Sequence, residues 1–248
     1  MTGVDYDIYE LDRKEKIMTG LALSAFLAAA GILFFRSAVF VLLYPVLIQR
    51  ARDRYRKMCV EKRKRALLTQ FKDLLYELSA SFASSRQMEE SLREAYQKLS
   101  SLHGEKAYIT VEIDAMLRKL ETGNTTGEVW EDFAERSHLP DISDFALVFR
   151  ACRDTGGDIV TAINRGAKII SEKIGIENDI KNMMAEKRAE GNIITVMPVV
   201  IILFLGIASP GYLEPVYTTL SGRIIMFTAL LLTAAAYKMI EGIMKIEI

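Results

Sequence analysis

Uncharged segments near the carboxyl terminus are the clearest pattern in the chain. Residues 193–209 contain no charged side chain, and a second uncharged run covers residues 224–237. A helix over the first run measures roughly 25 Å, close to the hydrocarbon thickness of a bilayer. Pro198 removes one hydrogen bond of that helix and predicts a kink. The two runs therefore predict a membrane hairpin over residues 191–240, connected by an outer loop over residues 210–223.

A second pair of apolar runs lies near the amino terminus. Residues 17–35 carry no charge and are long enough to span a bilayer. Residues 37–48 form a shorter run, which reaches across only with thinning of the bilayer or help from its flanking arginines. We expect a membrane hairpin over residues 17–48 that turns near Arg36 and follows a polar leader over residues 1–16. A cleavable signal peptide would have a shorter apolar region and a small-residue cleavage site.

Basic residues beside the apolar runs indicate the orientation in the membrane. Residues 50–65 are densely basic, which is typical of the cytoplasmic flank of a span. Lysine and arginine also precede the first span, at residues 13–16, and Lys238 follows the last one. Both termini are thus expected in the cytoplasm, with residues 241–248 as a short tail, and Arg223 is the one charge on the unexpected side. The formal net charge is zero, which gives no support to nucleic-acid binding.

The charged middle of the chain has the hydrophobic period of α-helices. Apolar residues recur there at spacings of three and four, and no alternation typical of strands is present. The pattern predicts a cytoplasmic domain over residues 49–190, an all-helical bundle of about six helices. The stripe residues of its first three helices are Leu67, Phe71, Leu74, Leu78, Phe82, Met88, Leu92, Ala95, Leu99, Leu102, Ile109, Ile113, Met116, Leu117 and Leu120. The predicted fold class is therefore an all-α membrane protein, with one membrane hairpin on each side of this bundle.

Capping-box pairs mark two helix starts within the bundle. Ser84 with Gln87 and Thr125 with Glu128 both have the spacing in which two side chains satisfy free backbone N–H groups at a helix start. We expect each pair to begin a helix.

A glycine turn precedes the last helix of the bundle. Thr155, Gly156 and Gly157 end one helix, because glycine tolerates the left-handed conformation of a sharp turn, and Asp158 caps the next. No proline follows before Pro198, so this helix is expected to continue from the bundle into the membrane.

The residues most often used in catalysis or metal binding are few. His103 and His138 each lie near a helix end, where a solvated histidine is the simpler interpretation. Cys59 and Cys152 have no further cysteine or histidine at ligand spacing, which predicts two unpaired thiols in a reducing compartment. The sequence predicts no metal site.

The sequence also contains no pattern typical of a catalytic carboxylate pair or a phosphate-binding loop. Glu112 and Asp114 are two residues apart and point to different faces of a helix. No phosphate-binding loop is present, and Gly156 with Gly157 lacks the third glycine of a dinucleotide fingerprint. The spans carry no interior charge of the kind that transporters use. We therefore predict no catalytic and no cofactor-binding residues, and no cofactor.

The order of these parts resembles the TadB-like branch of the type II secretion system F family. The sequence FRACRDTGGDIVTAINRGAK at residues 149–168 is similar to the family's helix, Thr-Gly-Gly turn and following helix. Residues 189–191 resemble its third span's start, and residues 210–222, PGYLEPVYTTLSG, resemble its outer loop. The residues that match this loop pattern are Pro210, Tyr212, Pro215, Thr218 and Thr219. Residues 82–88 lack the glycine often found in the family at that helix break.

The resemblance implies a non-enzymatic role in the inner membrane. It suggests a multi-pass platform protein of a Tad-type pilus or related secretion machine, which couples a cytoplasmic assembly ATPase to prepilin extraction from the bilayer. The partners implied are that ATPase, prepilins, the lipid bilayer, and either a TadC-like paralogue or a second copy. The alternative is a membrane permease or transport subunit, against which the apolar interior of the spans argues.

Overall fold

The computed structural model describes residues 5–35, 44–84 and 87–243, and in these ranges the chain is helical without any β-strand. The all-α prediction is confirmed. The helices are α1 (Arg13–Phe35), α2 (Tyr44–Ala83), α3 (Met88–His103), α4 (Tyr108–Glu121), α5 (Thr126–Ser137), α6 (Pro140–Thr155), α7 (Ile159–Ala208), α8 (Pro210–Thr218) and α9 (Leu220–Ile243). The predicted turn near Arg36, most of the short run over residues 37–48 and the end of the tail over residues 241–248 lie outside the described residues.

The chain folds as two units. Unit 1 comprises Met1–Glu10 and Arg56–Ile176, and unit 2 comprises Leu11–Tyr55 and Glu177–Ile248. Unit 1 holds α3 to α6 complete, together with the second part of α2 and the first part of α7. Residues 5–10, expected to be a polar leader, belong to unit 1.

An aromatic cluster forms the centre of the unit 1 core. Phe71 of α2 meets Trp130, Phe133 and Phe145 in edge-on contacts, with ring centroids 5.5–6.1 Å apart. All four rings are buried. The predicted stripes supply most of the surrounding core, because a side chain every three or four residues keeps one helix face against it. Stripe residues buried here are Leu67, Leu74, Leu78, Met88, Leu92, Ala95, Leu99, Ile109, Ile113, Met116 and Leu117.

One of the two predicted capping boxes forms. The Thr125 N–H donates to Glu128 Oε2 over 2.8 Å, and the Glu128 N–H donates to Thr125 Oγ1 over 3.4 Å, at the start of α5. The prediction that Ser84 and Gln87 form a capping box was wrong. Gln87 is itself the N-cap of α3 and makes no side-chain capping bond, while the Ser84 hydroxyl donates back to the Ala80 carbonyl of α2.

Unit 2 holds α1, the first part of α2, the second part of α7, α8 and α9. Among the described residues, two helices are long and apolar enough to cross a membrane, α7 and the Leu220–Ile240 part of α9. Gly191 of α7 lies against α9, since a Cβ there would come within 2.8 Å of Ile240 Cγ2. The connection between the two helices differs from the prediction. It is the short helix α8 rather than an irregular loop.

Candidate functional site

The turn between α6 and α7 has the conformation that its glycines predicted. Gly156 has a φ of +70°, and the Gly157 N–H donates to the Cys152 carbonyl over 2.7 Å. Asp158 caps α7 by accepting the Thr161 N–H over 3.1 Å. The hydrogen bond from the Thr161 hydroxyl, helped by this backbone bond, lowers the pKa of the Asp158 carboxyl. The side chains or backbones of all four turn residues, Thr155 to Asp158, are exposed, and their contacts are those of a structural turn.

Replacing Gly156 tests this structural role. Gly156→Ala should destabilise unit 1 by about 1–2 kcal/mol, because alanine pays a steric penalty at positive φ. Gly175→Ala is the matched control. Both positions have open space around a new Cβ, but Gly175 lies within α7 at ordinary φ, so alanine there should stabilise by about 0.5–1 kcal/mol. Thermal unfolding of the detergent-purified chain, followed by Trp130 fluorescence, measures both; shifts of the same sign would contradict the assignment.

A groove lies between α6 and α7, lined by residues from Asp141 to Val148 on α6 and from Ala162 to Ile170 on α7. Gly166 of α7 packs closely against α6, since a Cβ there would lie 3.2 Å from Phe145 Cδ2. Lys173 closes one end of the groove by binding Asp141, with Nζ 2.7 Å from Oδ2. The groove has a volume of about 320 Å³.

A buried ionic cluster lies elsewhere in unit 1 and was missed by the sequence reasoning. Glu112, only 1% exposed, receives two parallel hydrogen bonds from Arg136, over 3.0 Å from Nη1 and 2.7 Å from Nη2. The hydroxyl of Tyr6, which is completely buried, donates to Glu112 Oε1 over 2.9 Å. Every charge and hydroxyl in the cluster is therefore paired, as a buried position requires.

The cluster continues to a second carboxylate. Arg136 Nε donates to Asp132 Oδ2 over 2.8 Å, and Lys119 Nζ lies 2.5 Å from the same oxygen. Burial alone would raise the pKa of Asp132, but the hydrogen bonds from Lys119 and Arg136 outweigh it and lower that pKa. Burial and the neighbouring Glu112 carboxylate raise the pKa of Tyr6, which keeps its hydroxyl protonated as the donor.

Residues 5–10 are held on unit 1 by further contacts around Tyr6. The Arg63 guanidinium stacks over the Tyr6 ring at 4.6 Å, and the Tyr6 N–H donates to the Arg136 carbonyl over 3.2 Å. Lys64 forms an ion pair with Asp7. The only local signal was a tyrosine between two acids in an otherwise polar leader, and its partners lie far away in the sequence.

The residues singled out in the predicted carboxyl-terminal membrane hairpin lie in two helices. Pro198 is inside α7, and the kink expected there stays a prediction. Pro210 and Pro215 are both in α8, and Tyr212 on the same helix is exposed.

The hydroxyls of the two threonines in this segment donate hydrogen bonds to carbonyl groups near the end of α8. The Thr218 hydroxyl donates to the Glu214 carbonyl, and the Thr219 hydroxyl donates to the Pro215 carbonyl over 2.6 Å. Thr219 Oγ1 also accepts the Gly222 N–H over 3.1 Å, so this residue ends α8 and begins α9.

Histidines and cysteines do not assemble into a site in the described part of the chain. His103 Nε2 lies 3.0 Å from Asp73 Oδ2, and His138 ends α5 in the left-handed conformation. Cys59 and Cys152 are free thiols. Within the described ranges, no group of three or more His, Cys, Asp or Glu side chains is placed to hold a metal ion.

The family model for the type II secretion system (T2SS), protein F, matches residues 62–207. The chain belongs to this family. The matched segment covers more than half of the 248 residues and runs from α2 through most of α7. No curated protein and no solved structure matches the chain.

Membership in this family indicates the general role of the chain. Proteins of the type II secretion system F family are membrane platform proteins rather than enzymes, and they work with secretion or pilus assembly machinery. Together with the two apolar helices, membership indicates an inner-membrane protein.

Proposed function

We propose that this chain is the inner-membrane platform of a Tad-type pilus or related secretion machine, coupling a cytoplasmic assembly ATPase to the extraction of prepilins. The observation that carries the proposal is the continuity of α7. Its early residues Ile163, Ala167 and Ile170 are buried in the core of unit 1, and the same helix reaches Ala208 through the uncharged run. A motor acting on unit 1 is thereby connected to the apolar run through a continuous helix.

The docking of residues 5–10 supports the proposed topology. Tyr6 is buried among side chains of α2, α4 and α5, which supports a topology with residues 5–10 on the same side of the membrane as these helices. An even number of crossings between residues 11 and 55 satisfies this constraint. The basic run at residues 50–65 indicates that this side is the cytoplasm. Both termini are cytoplasmic in this proposal, which places α8 on the outer side.

The Tad-type assignment rests on two segments of the sequence. Residues 149–168 contain the Thr-Gly-Gly turn, and residues 210–222 contain the two-proline, two-threonine pattern of the TadB-like branch. The first segment contains the turn that ends α6, and the second contains the junction between α8 and α9. The partners proposed on this basis are the assembly ATPase, prepilins and either a TadC-like paralogue or a second copy.

Deleting the gene tests the function directly. Loss of the platform should abolish surface pili while prepilins accumulate in the inner membrane, because the ATPase then has no membrane component to act on. Expression of the intact chain from a plasmid should restore the pili. Counting pili by electron microscopy and prepilin by membrane immunoblot measures both effects. Normal pili without the chain would contradict the proposal.

A further inference from the structure

The groove between α6 and α7 exposes apolar side chains that the unit 1 core leaves uncovered. Val148 on one wall is 48% exposed and Ile169 on the other is 54% exposed. Ile176, two turns beyond Ile169 on α7, is 58% exposed. All three belong to unit 1, outside the apolar runs of the predicted spans, so lipid does not account for their exposure. Val148 and Ile169 line the groove itself, and an exposed apolar lining of this kind can accommodate a protein partner.

The charges on the two walls are opposite in sign. Asp144 lies on the α6 wall and Arg165 on the α7 wall. Both are exposed, and neither makes an ion pair or hydrogen bond with any described residue. Asp141, by contrast, is already neutralised by Lys173 at the groove's end. The groove therefore offers one unpaired acid and one unpaired base, on opposite walls.

This arrangement is complementary to itself. We propose that the groove is the contact surface for a second copy of this chain. A two-fold axis passing between Asp144 and Arg165 brings each carboxylate opposite the guanidinium of the other copy, with Val148 and Ile169 beside the two ion pairs. A partner with one sign of charge would satisfy one wall and oppose the other, which favours a second copy over such a partner.

The size of the surface indicates how strong the contact is. Stable interfaces bury about 800 Å² on each partner, more than a few exposed side chains beside one groove provide. The contact is therefore weak between freely diffusing copies and becomes significant when the copies share a membrane, which raises their effective concentration. The inference rests on the proposed function in one respect, namely that the copies lie in the same membrane.

Charge reversal tests the inference on the full chain in liposomes. Asp144→Arg alone and Arg165→Asp alone each place like charges opposite one another, and each should weaken self-association roughly tenfold. Mixing the two variants restores both ion pairs, because the arginine at position 144 of one copy meets the aspartate at position 165 of the other. The mixture should therefore associate like the wild type. Energy transfer between separately labelled copies measures association, and Trp130 fluorescence confirms folding.

Other results overturn the inference. If the single variants associate normally, the groove is not the contact. If the mixture associates no better than either variant alone, the two-fold pairing is wrong. If only binding to a second, non-identical platform protein is lost, that protein is the occupant instead. Pilus counts on the same variants keep the proposed function separate, since absent pili in the mixture with normal association would count against the function and not against the contact.

Discussion

Arg136→Met should destabilise unit 1 by about 3–5 kcal/mol, because it leaves the buried Glu112 carboxylate without its cationic partner. The Arg136 guanidinium supplies both hydrogen bonds that neutralise Glu112, and Tyr6 alone cannot replace a charge. Methionine has a similar length and retains the packing of the aliphatic stem. For a domain whose total stability is about 5–15 kcal/mol, this loss is a large fraction.

Trp130 makes this result measurable within the full chain. It is the only tryptophan, and it is buried in the unit 1 core, so its fluorescence reports the unfolding of this unit in detergent. Urea titration gives the change in free energy of unfolding.

Arg118→Met is the matched control. Arg118 pairs with Asp114 on the same helix as Glu112, but its side chain is 67% exposed, so the same substitution should cost less than about 1 kcal/mol. The double variant Glu112→Leu with Arg136→Met should recover part of the loss, because no buried charge then remains. Equal losses at Arg136 and Arg118 would show that the cluster does not contribute through its burial.

Local signals predicted much of unit 1. The hydrophobic period located the buried faces of its helices, since every third or fourth residue meets the core. Thr125 with Glu128 and Gly156 could be interpreted without tertiary information, because a capping box and a left-handed turn are completed within a few residues of sequence. Ser84 shows the limit of such signals. Its hydroxyl has two possible backbone partners, and the preceding helix provides the one it uses.

The buried cluster could not be predicted in this way. Tyr6 and Glu112 are 106 residues apart, and neither has an unusual local pattern. Only the folded arrangement of α2, α4 and α5 creates a cavity in which a tyrosine hydroxyl and a guanidinium converge on one carboxylate. The polarity of residues 5–10 is therefore the only property of this segment that local sequence reveals.

The segment from Pro210 to Thr218 is helical although its sequence predicts a loop. Two prolines and a glycine in nine residues usually indicate a loop. Pro210, however, is the first residue of α8, where a missing N–H costs nothing. A proline at the start of a short helix and a proline in a loop look the same in sequence.

The last prediction concerns how displacement reaches the membrane. Inserting Gly-Ser after Lys187 should leave the chain in the membrane and unit 1 folded, yet stop pilus assembly. In the proposed function α7 acts as a lever, because it is one continuous helix of 50 residues that begins in the unit 1 core and ends in the uncharged run. A flexible pair in its exposed middle provides a joint in which the motion of unit 1 is lost before it reaches Pro198.

Two controls separate stiffness from other effects of the insertion. Ala-Ala at the same place adds the same length and rotates the following helix by the same roughly 200°, but it preserves helicity. Gly-Ser after Gly123 places the flexible pair in an exposed turn between α4 and α5, where it should be harmless. More pili with Ala-Ala than with Gly-Ser after Lys187 would assign the effect to stiffness. Pili forming at the normal rate with Gly-Ser after Lys187 would refute the lever, and the platform would then be a scaffold that holds the ATPase and prepilins together without transmitting force.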